Sequence, residues 1–277
     1  SGLATAELFD VSTGLVTAAG SMASARHGHT ATVVGSPPSV LIAGGSGNAT
    51  AELFTLGSGF APPIAMIAQR RGHVAEVTGN GRVLIAGGIG SLGFALSSAE
   101  LFDAAAGTFT ATGSMTSPRA FATATQQEDA LGTVLVVGGT NGAGFYYKTA
   151  DVFIPSGAGS FQQQTIAMQR ERAFHAATKL AGEATVLITG GTDGNTVLAN
   201  TEIFVLGAPS SALASTMDRP RNFHAALALQ SNRPVVIGGG LTGTPAAPES
   251  GSMLLQSAIS AEILLRSNGD ACNAHGE

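Results

Sequence analysis

The sequence predicts an all-β chain, a β-propeller of four-stranded antiparallel blades, and three recurring signatures predict it. The first is an apolar run closed by a double glycine. VLIAGG at Val40–Gly45 returns as VLIAGG ending at Gly88, VLVVGG at Gly139, VLITGG at Gly191 and VVIGGG at Gly240. The second is AELF, at Ala6–Phe9 and again from Ala51 and Ala99, then ADVF from Ala150, TEIF from Thr201 and AEIL from Ala261. The third opens on a methionine: Met22, Met66, Met115, Met168 and Met217 are each followed four residues later by Arg26, Arg70, Arg119, Arg172 and Arg221. Successive double glycines lie 43, 51, 52 and 49 residues apart, the length of a propeller blade rather than of a shorter repeat.

Each element follows from its pattern. The strand after the arginine, strand a, begins at the seventh position after the methionine. Two residues further on stands Ala31, Ala75, Ala124, Ala177 or Ala226, a small side chain suited to the crowded axis of a ring. Strand b is the VLIAGG run, apolar without alternation, as expected of a strand covered on both faces. Strand c is AELF, and strand d is the alternating segment ahead of the methionine, such as Gly107–Met115. Five a–b pairs accompany six c strands. Five blades are therefore expected, closed by joining the N-terminal strand d to the C-terminal a–b–c, or six or more if the chain is a fragment of a longer one. The propeller is expected over residues 1–264, with a polar tail over 265–277 and an exposed loop over 241–258.

The arginine ahead of strand a, the double glycine closing strand b and the AELFD…G.F…M close of the unit together resemble kelch repeats of the bacterial kind. The resemblance covers about residues 6–264. It departs from the metazoan motif, whose aromatic pair is replaced at best by Phe, as at Phe9 and Phe109. It implies a propeller of four-stranded blades. Such propellers host both binding modules and enzymes, so the fold alone does not assign an activity.

Composition excludes several classes. At 277 residues and 44% hydrophobic content the chain has ample material for a core, and only 11% of it is charged. A net charge of −5 provides no basic face for nucleic acid. No apolar run reaches the roughly 18–20 residues of a membrane-spanning helix. The single cysteine, Cys272, leaves no internal disulfide framework. The opening SGLATAELFD holds no leader, so a signal peptide is expected to have been removed or never included, and an extracellular or cell-surface location is inferred from composition and the habit of the resembling family.

Candidate functional residues form three groups. Six acids occupy the second position of the AELF element: Glu7, Glu52, Glu100, Asp151, Glu202 and Glu262. Buried there among apolar neighbours, an acid needs a cation, and the arginine series has the same period. The arginines and acids are therefore read as repeated structural pairs. His29, His73, His175 and His224 fill four of the five seventh positions, and Ala122 breaks the series. They are read as packed imidazoles, with a His–acid contact suggested because the one unit lacking the histidine is also the one with Asp151. The rival is a ring of metal ligands at the channel mouth, to which His27 adds an i, i+2 pair with His29. That rival would make the chain a metal-dependent enzyme or divalent-metal site. The third group is Phe145, Tyr146, Tyr147 and Lys148 in the b–c loop, a contact patch for a protein or glycan. GIGSLG at Gly88–Gly93 lacks the following helix of a dinucleotide site, and Asp193-Gly194-Asn195 reads as a turn. No cofactor is required by these residues. The expected function is a non-catalytic, secreted binding module, with a scaffold domain of a larger protein as a further alternative.

Overall fold

The computed structural model describes residues 2–45, 47–180, 185–205, 211–229, 235–243 and 262–264, with residues 165, 166 and 262–264 described by backbone alone. The tail from 265, most of the long insert and the side chain of Glu262 thus lie outside the described residues.

The described residues form strands and turns, with no helix. β1 (Leu3–Asp10) and β2 (Leu15–Arg26) make a hairpin. Sheet I follows with β3 (Thr30–Val34), β4 (Ser39–Ala43), β5 (Thr50–Thr55) and two short pieces, β6 (Gly59–Phe60) and β7 (Ile64–Ala65), both paired to β5. Pro62 and Pro63 stand between those pieces. Lacking N–H groups, they interrupt what elsewhere is one strand d.

Sheet II comprises β8 (Val74–Val77), β9 (Val83–Ala86), β10 (Ala99–Asp103) and β11 (Thr108–Ala111). Sheet III comprises β12 (Thr123–Gln126), β13 (Val134–Val137), β14 (Thr149–Ile154) and β15 (Ser160–Ala167). Sheet IV comprises β16 (Ala176–Leu180), β17 (Thr185–Thr189), β18 (Asn200–Val205) and β19 (Ala212–Thr216). Sheet V has β20 (Ala225–Ala228), β21 (Val235–Gly238) and β22 (Glu262–Leu264). All pairings are antiparallel and follow chain order, so the chain is a series of repeated antiparallel sheets.

One register recurs. The acid of strand c lies opposite the third residue of strand b in every sheet: Ile42↔Glu52, Ile85↔Glu100, Val136↔Asp151, Ile188↔Glu202 and Ile237↔Glu262. The last pairing forms the expected C-terminal a–b–c sheet, while among the described strands β1 and β2 pair only with each other.

The first strands of consecutive sheets, β3, β8, β12, β16 and β20, lie side by side. Between the sheets sit four hydrophobic clusters. Leu41 and Ala43 of sheet I meet Val83, Ile85 and Phe102 of sheet II. Leu84 and Leu101 meet Val134, Val136 and Phe153 of sheet III. Leu135 and Val152 meet Val186, Ile188 and Phe204 of sheet IV. Leu187 and Met217 meet Val235 and Ile237 of sheet V. Alternate residues of strand b thus serve opposite neighbours, which is why the middle of that strand is apolar on both faces.

Candidate binding face

The loop from strand d into strand a is fastened the same way in each unit. Arg26 Nη1 donates to the Gly44 carbonyl at 2.8 Å, ending strand b, and to the Thr50 carbonyl at 2.7 Å, opening strand c. Arg70, Arg119, Arg172 and Arg221 donate likewise to the carbonyls of Gly87, Gly138, Gly190 and Gly239. Four of the five guanidiniums then meet the acid of the same unit: Arg26–Glu52 at 2.6 Å, Arg70–Glu100 and Arg119–Asp151 at 3.0 Å, and Arg172–Glu202. All eight of these side chains are 0–1% exposed. Burial pushes the guanidinium of Arg70, Arg119 and Arg172 below its ordinary pKa, and the facing carboxylate opposes that push. The acid's second oxygen is used as well: Glu52, Glu100 and Glu202 accept from the backbone N–H of Ala23, Ile67 and Gln169, the residue after each methionine. Where the acid is the shorter Asp151, the Thr116 hydroxyl at that same position donates to it at 2.7 Å. The aspartate is thus matched to Thr116 and not, as its coincidence with Ala122 suggested, to a missing histidine.

Among the described residues His73, His175 and His224 bond hydroxyls and not acids. His73 Nε2 is hydrogen-bonded to Thr30 Oγ1 of the preceding sheet at 2.9 Å, and His175 Nε2 to Thr123 Oγ1 of its preceding sheet at 2.8 Å. At the corresponding place sheet IV has Ala176, and there the hydroxyl comes from Thr189, the strand-b residue paired with Ala176, which meets His224 at 2.7 Å. Ala122 follows the same rule, since the position of Thr30 is occupied in sheet II by Val74. A buried imidazole stands only where the sheet before it presents a hydroxyl. Burial, helped by Arg70, holds His73 down to about 3, and burial with Arg221 holds His224 to about 4. His175 is held well below the usual range by burial, Arg172 and His224. These rings are neutral inter-sheet bonds. Among the described residues no three His, Cys, Asp or Glu side chains come together as a metal would require, and His27 and His29 are both exposed.

One residue earlier lies a series that sequence reading overlooked. Gly28, Gly72, Phe121, Phe174 and Phe223 all adopt left-handed backbone, with φ of 66°, 59°, 55°, 58° and 53°. Such a conformation costs a phenylalanine about 1–3 kcal/mol. Each N–H donates to the carbonyl of the previous member: Gly72 to Gly28, Phe121 to Gly72, Phe174 to Phe121 and Phe223 to Phe174, at 2.8–3.0 Å. The rings stack in the same order, Phe121–Phe174 at 4.3 Å and Phe174–Phe223 at 4.4 Å between centroids. Gly72 makes room for the ring of Phe121, which occupies the space a Cβ would take.

The b–c loops lie at this same end, because the residue before each left-handed position bridges to the loop residue after the double glycine: Arg71↔Ile89, Ala120↔Thr140, Ala173↔Thr192 and Asn222↔Leu241. In the third unit Phe145 is 57% exposed, edge-on to Tyr147 at 5.0 Å. Tyr147 is half-buried beneath Arg119, whose guanidinium carbon sits 4.8 Å from the ring centroid. Tyr146 lies against Gly194 of the next loop, and Lys148 is exposed. The expected four-residue patch is therefore divided: Phe145 and Lys148 face solvent, whereas the tyrosines brace the loop. The second unit supplies what was missed. Gly90 N–H donates to the Phe94 carbonyl as Asn141 N–H donates to that of Phe145, so the two phenylalanines are equivalent. Phe94 is 67% and Leu92 84% exposed. The signal was present in sequence as Gly93-Phe94 against Gly144-Phe145. The fourth loop turns instead on Asp193 Oδ1, which accepts from the N–H groups of Asn195 and Thr196.

A cavity of about 420 Å³ lies among the first strands of sheets II to V, lined by Glu76, Gln126, Lys179, Leu227 and intervening small residues. Burial raises the Glu76 carboxyl above its ordinary value, opposed by the Val77 N–H and Lys179.

No protein-family model and no curated protein sequence matches this chain. No helix of the described residues is long and apolar enough to cross a membrane.

Proposed function

We propose that the chain is a kelch-type β-propeller serving as a non-catalytic binding module at or outside the cell surface, which takes a protein or glycan through the b–c loops. The observation that carries this reading is the exposure of Leu92, Phe94 and Phe145 on two consecutive loops rooted in fixed tyrosine and backbone contacts. Large apolar side chains held rigid at a rim lose little entropy on contact. Their lack of hydroxyls favours a protein surface over a sugar ring, which needs hydrogen-bond partners beside the stacking face.

The test places a photo-crosslinking phenylalanine at position 94 or 145, with exposed Val11 as the control position, in cells that make the protein. A defined protein adduct from 94 and 145 but not from 11, lost when the other loop carries Phe→Ser, is the expected result. Equal labelling from all three positions would overturn the reading. A parallel glycan array binding the wild type but not Phe94→Ser/Phe145→Ser would assign the same face to carbohydrate.

A further inference from the structure

The cavity among the first strands is lined by polar groups that the fold leaves unused. Thr32, Glu76, Thr125, Thr178 and Leu227 occupy one position of the repeat, so Glu76 is an acid where its counterparts are threonine or leucine. Strand alternation fixes which way these side chains face. Val74 packs against Val134 and Val136 of sheet III, and Glu76, two residues on, shares that face. Ala124 of sheet III packs against the same cluster, so Gln126 faces back toward sheet II. Ala177 packs against the cluster of sheets III and IV, which turns Lys179 toward sheet III. Thr125 and Thr178 complete the polar lining. Among the described residues no ion pair reaches Glu76. Thr125 and Gln126 make no side-chain hydrogen bond there, and the Thr178 hydroxyl is buried without a partner. Lys179 is the one cation of the lining, and its ammonium donates to Glu128 Oε1 at 3.1 Å. It acts on Glu76 from further away, and burial raises the Glu76 carboxyl all the same.

A half-buried carboxyl without a partner costs stability, and three of its four counterparts show that threonine fits the same place. Such a group in a cavity of about 420 Å³ marks a binding site. Glu76, Glu128 and Lys179 together carry one net negative charge, so the charge that would complete the site is positive. Among the described residues no three metal ligands gather, and the walls between the polar groups are small and apolar, Ala124 and Ala177 among them. That combination suits an organic cation. We infer that the cavity binds a small aliphatic ammonium ion, its N–H groups shared between the Glu76 carboxylate and the Gln126 amide oxygen, its hydrocarbon body along Ala124 and Ala177. Thr125 and Thr178 provide hydroxyls for a further polar group on the ligand. The polar walls come from sheets II, III and IV, which two hydrophobic clusters join. The site lies at the a–b end of the first strands, away from the b–c loops, and is independent of the face at Phe94 and Phe145.

The probe is n-butylammonium chloride, added to the full chain at constant ionic strength. Binding is followed by NMR at the Ala124 and Ala177 methyls and the Gln126 side-chain amide. Saturable shifts at all three are expected, with sodium n-butyrate giving none. Glu76→Gln and Glu76→Thr are each expected to bind at least about tenfold more weakly, the loss of one charge-assisted hydrogen bond. Lys179→Gln, which removes the competing cation, is expected to bind more tightly. Both Glu76 variants are expected to unfold at no lower urea concentration than the wild type, because that carboxyl fastens nothing in the free protein. Equal shifts with butyrate, undiminished binding by Glu76→Gln, or no saturable shift with the amine would each overturn the inference. So would a clear loss of stability in both Glu76 variants, which would give that carboxyl a structural role instead. Phe94→Ser/Phe145→Ser protein is expected to bind the amine as the wild type does, which keeps this site and the loop face separately testable.

Discussion

Val40-Leu41-Ile42-Ala43 and Val83-Leu84-Ile85-Ala86 are the same four residues in the same strand of consecutive units, yet they are buried differently. In sheet II all four are sealed, Val83 and Ile85 at 0% exposure, whereas Val40 and Ile42 of sheet I are only half-buried. Leu41 and Ala43, which face sheet II, are as buried as their counterparts. Identical sequence thus reaches two environments because, among the described residues, hydrophobic clusters cover both faces of one strand and one face of the other. The same contrast separates Glu100 from Glu7, His175 from His29 and Phe174 from Phe223.

The largest expected effect is on acid stability. His73, His175 and His224 are kept neutral in the fold but take a proton near pH 6.5 once unfolded. Their folded pKa values are depressed, so this contribution is intact above about pH 6.5 and is lost as pH falls toward about 4 for His224 and about 3 for His73. The loss is on the order of 1.4 kcal/mol per pH unit for each histidine. Denaturant titrations from pH 7.5 to 4.5 are expected to show a decline that flattens in His175→Ala and changes less in exposed His29→Ala.

The next contrast concerns the acids. Glu100→Gln leaves Arg70 buried without its countercharge and is expected to cost about 3–5 kcal/mol. Glu7→Gln is expected to leave the urea midpoint unchanged. A similar loss from both would erase the distinction between enclosed and open sides.

Much of this was legible in the sequence. The period, the strand order and the sealed character of strand b are written in the spacing of VLIAGG and AELF, and the arginine–acid pairing follows from two series sharing one period. The partner of the histidines was not legible, because Thr30 and Thr123 look like ordinary strand threonines and Thr189 reaches the same spot from a different strand. Asp151 was misread for a related reason: its compensating hydroxyl, Thr116, sits where the other units use a backbone N–H that no sequence displays. The aromatic stack was hidden by Gly28 and Gly72, which share with Phe121, Phe174 and Phe223 a backbone conformation and not a side-chain type.

Two smaller effects sharpen these corrections. Phe174→Ala, between two rings, is expected to cost about 3 kcal/mol, partly offset by relief of left-handed strain. Phe223→Ala, with one face open, is expected to cost about 1 kcal/mol by the same apolar-area reasoning. Thr123→Val strands His175 and is expected to cost about 1–3 kcal/mol. Adding His175→Ala should cost less than the sum of the single changes, since Val74 beside Ala122 is the same combination found in the wild type. Thermal denaturation of the four proteins measures the coupling.

The central claim, that the left-handed series bonds sheet to sheet at four junctions and ends, among the described residues, at Gly28, rests most directly on two glycine amides. Gly72 N–H donates to the Gly28 carbonyl at 2.8 Å, while Gly28 N–H has no acceptor among the described residues. Amide hydrogen exchange resolved at these two residues by NMR is predicted to be slow at Gly72 and fast at Gly28. Equal protection at both would show that the Gly28 amide is already engaged, and that the series does not end there in solution.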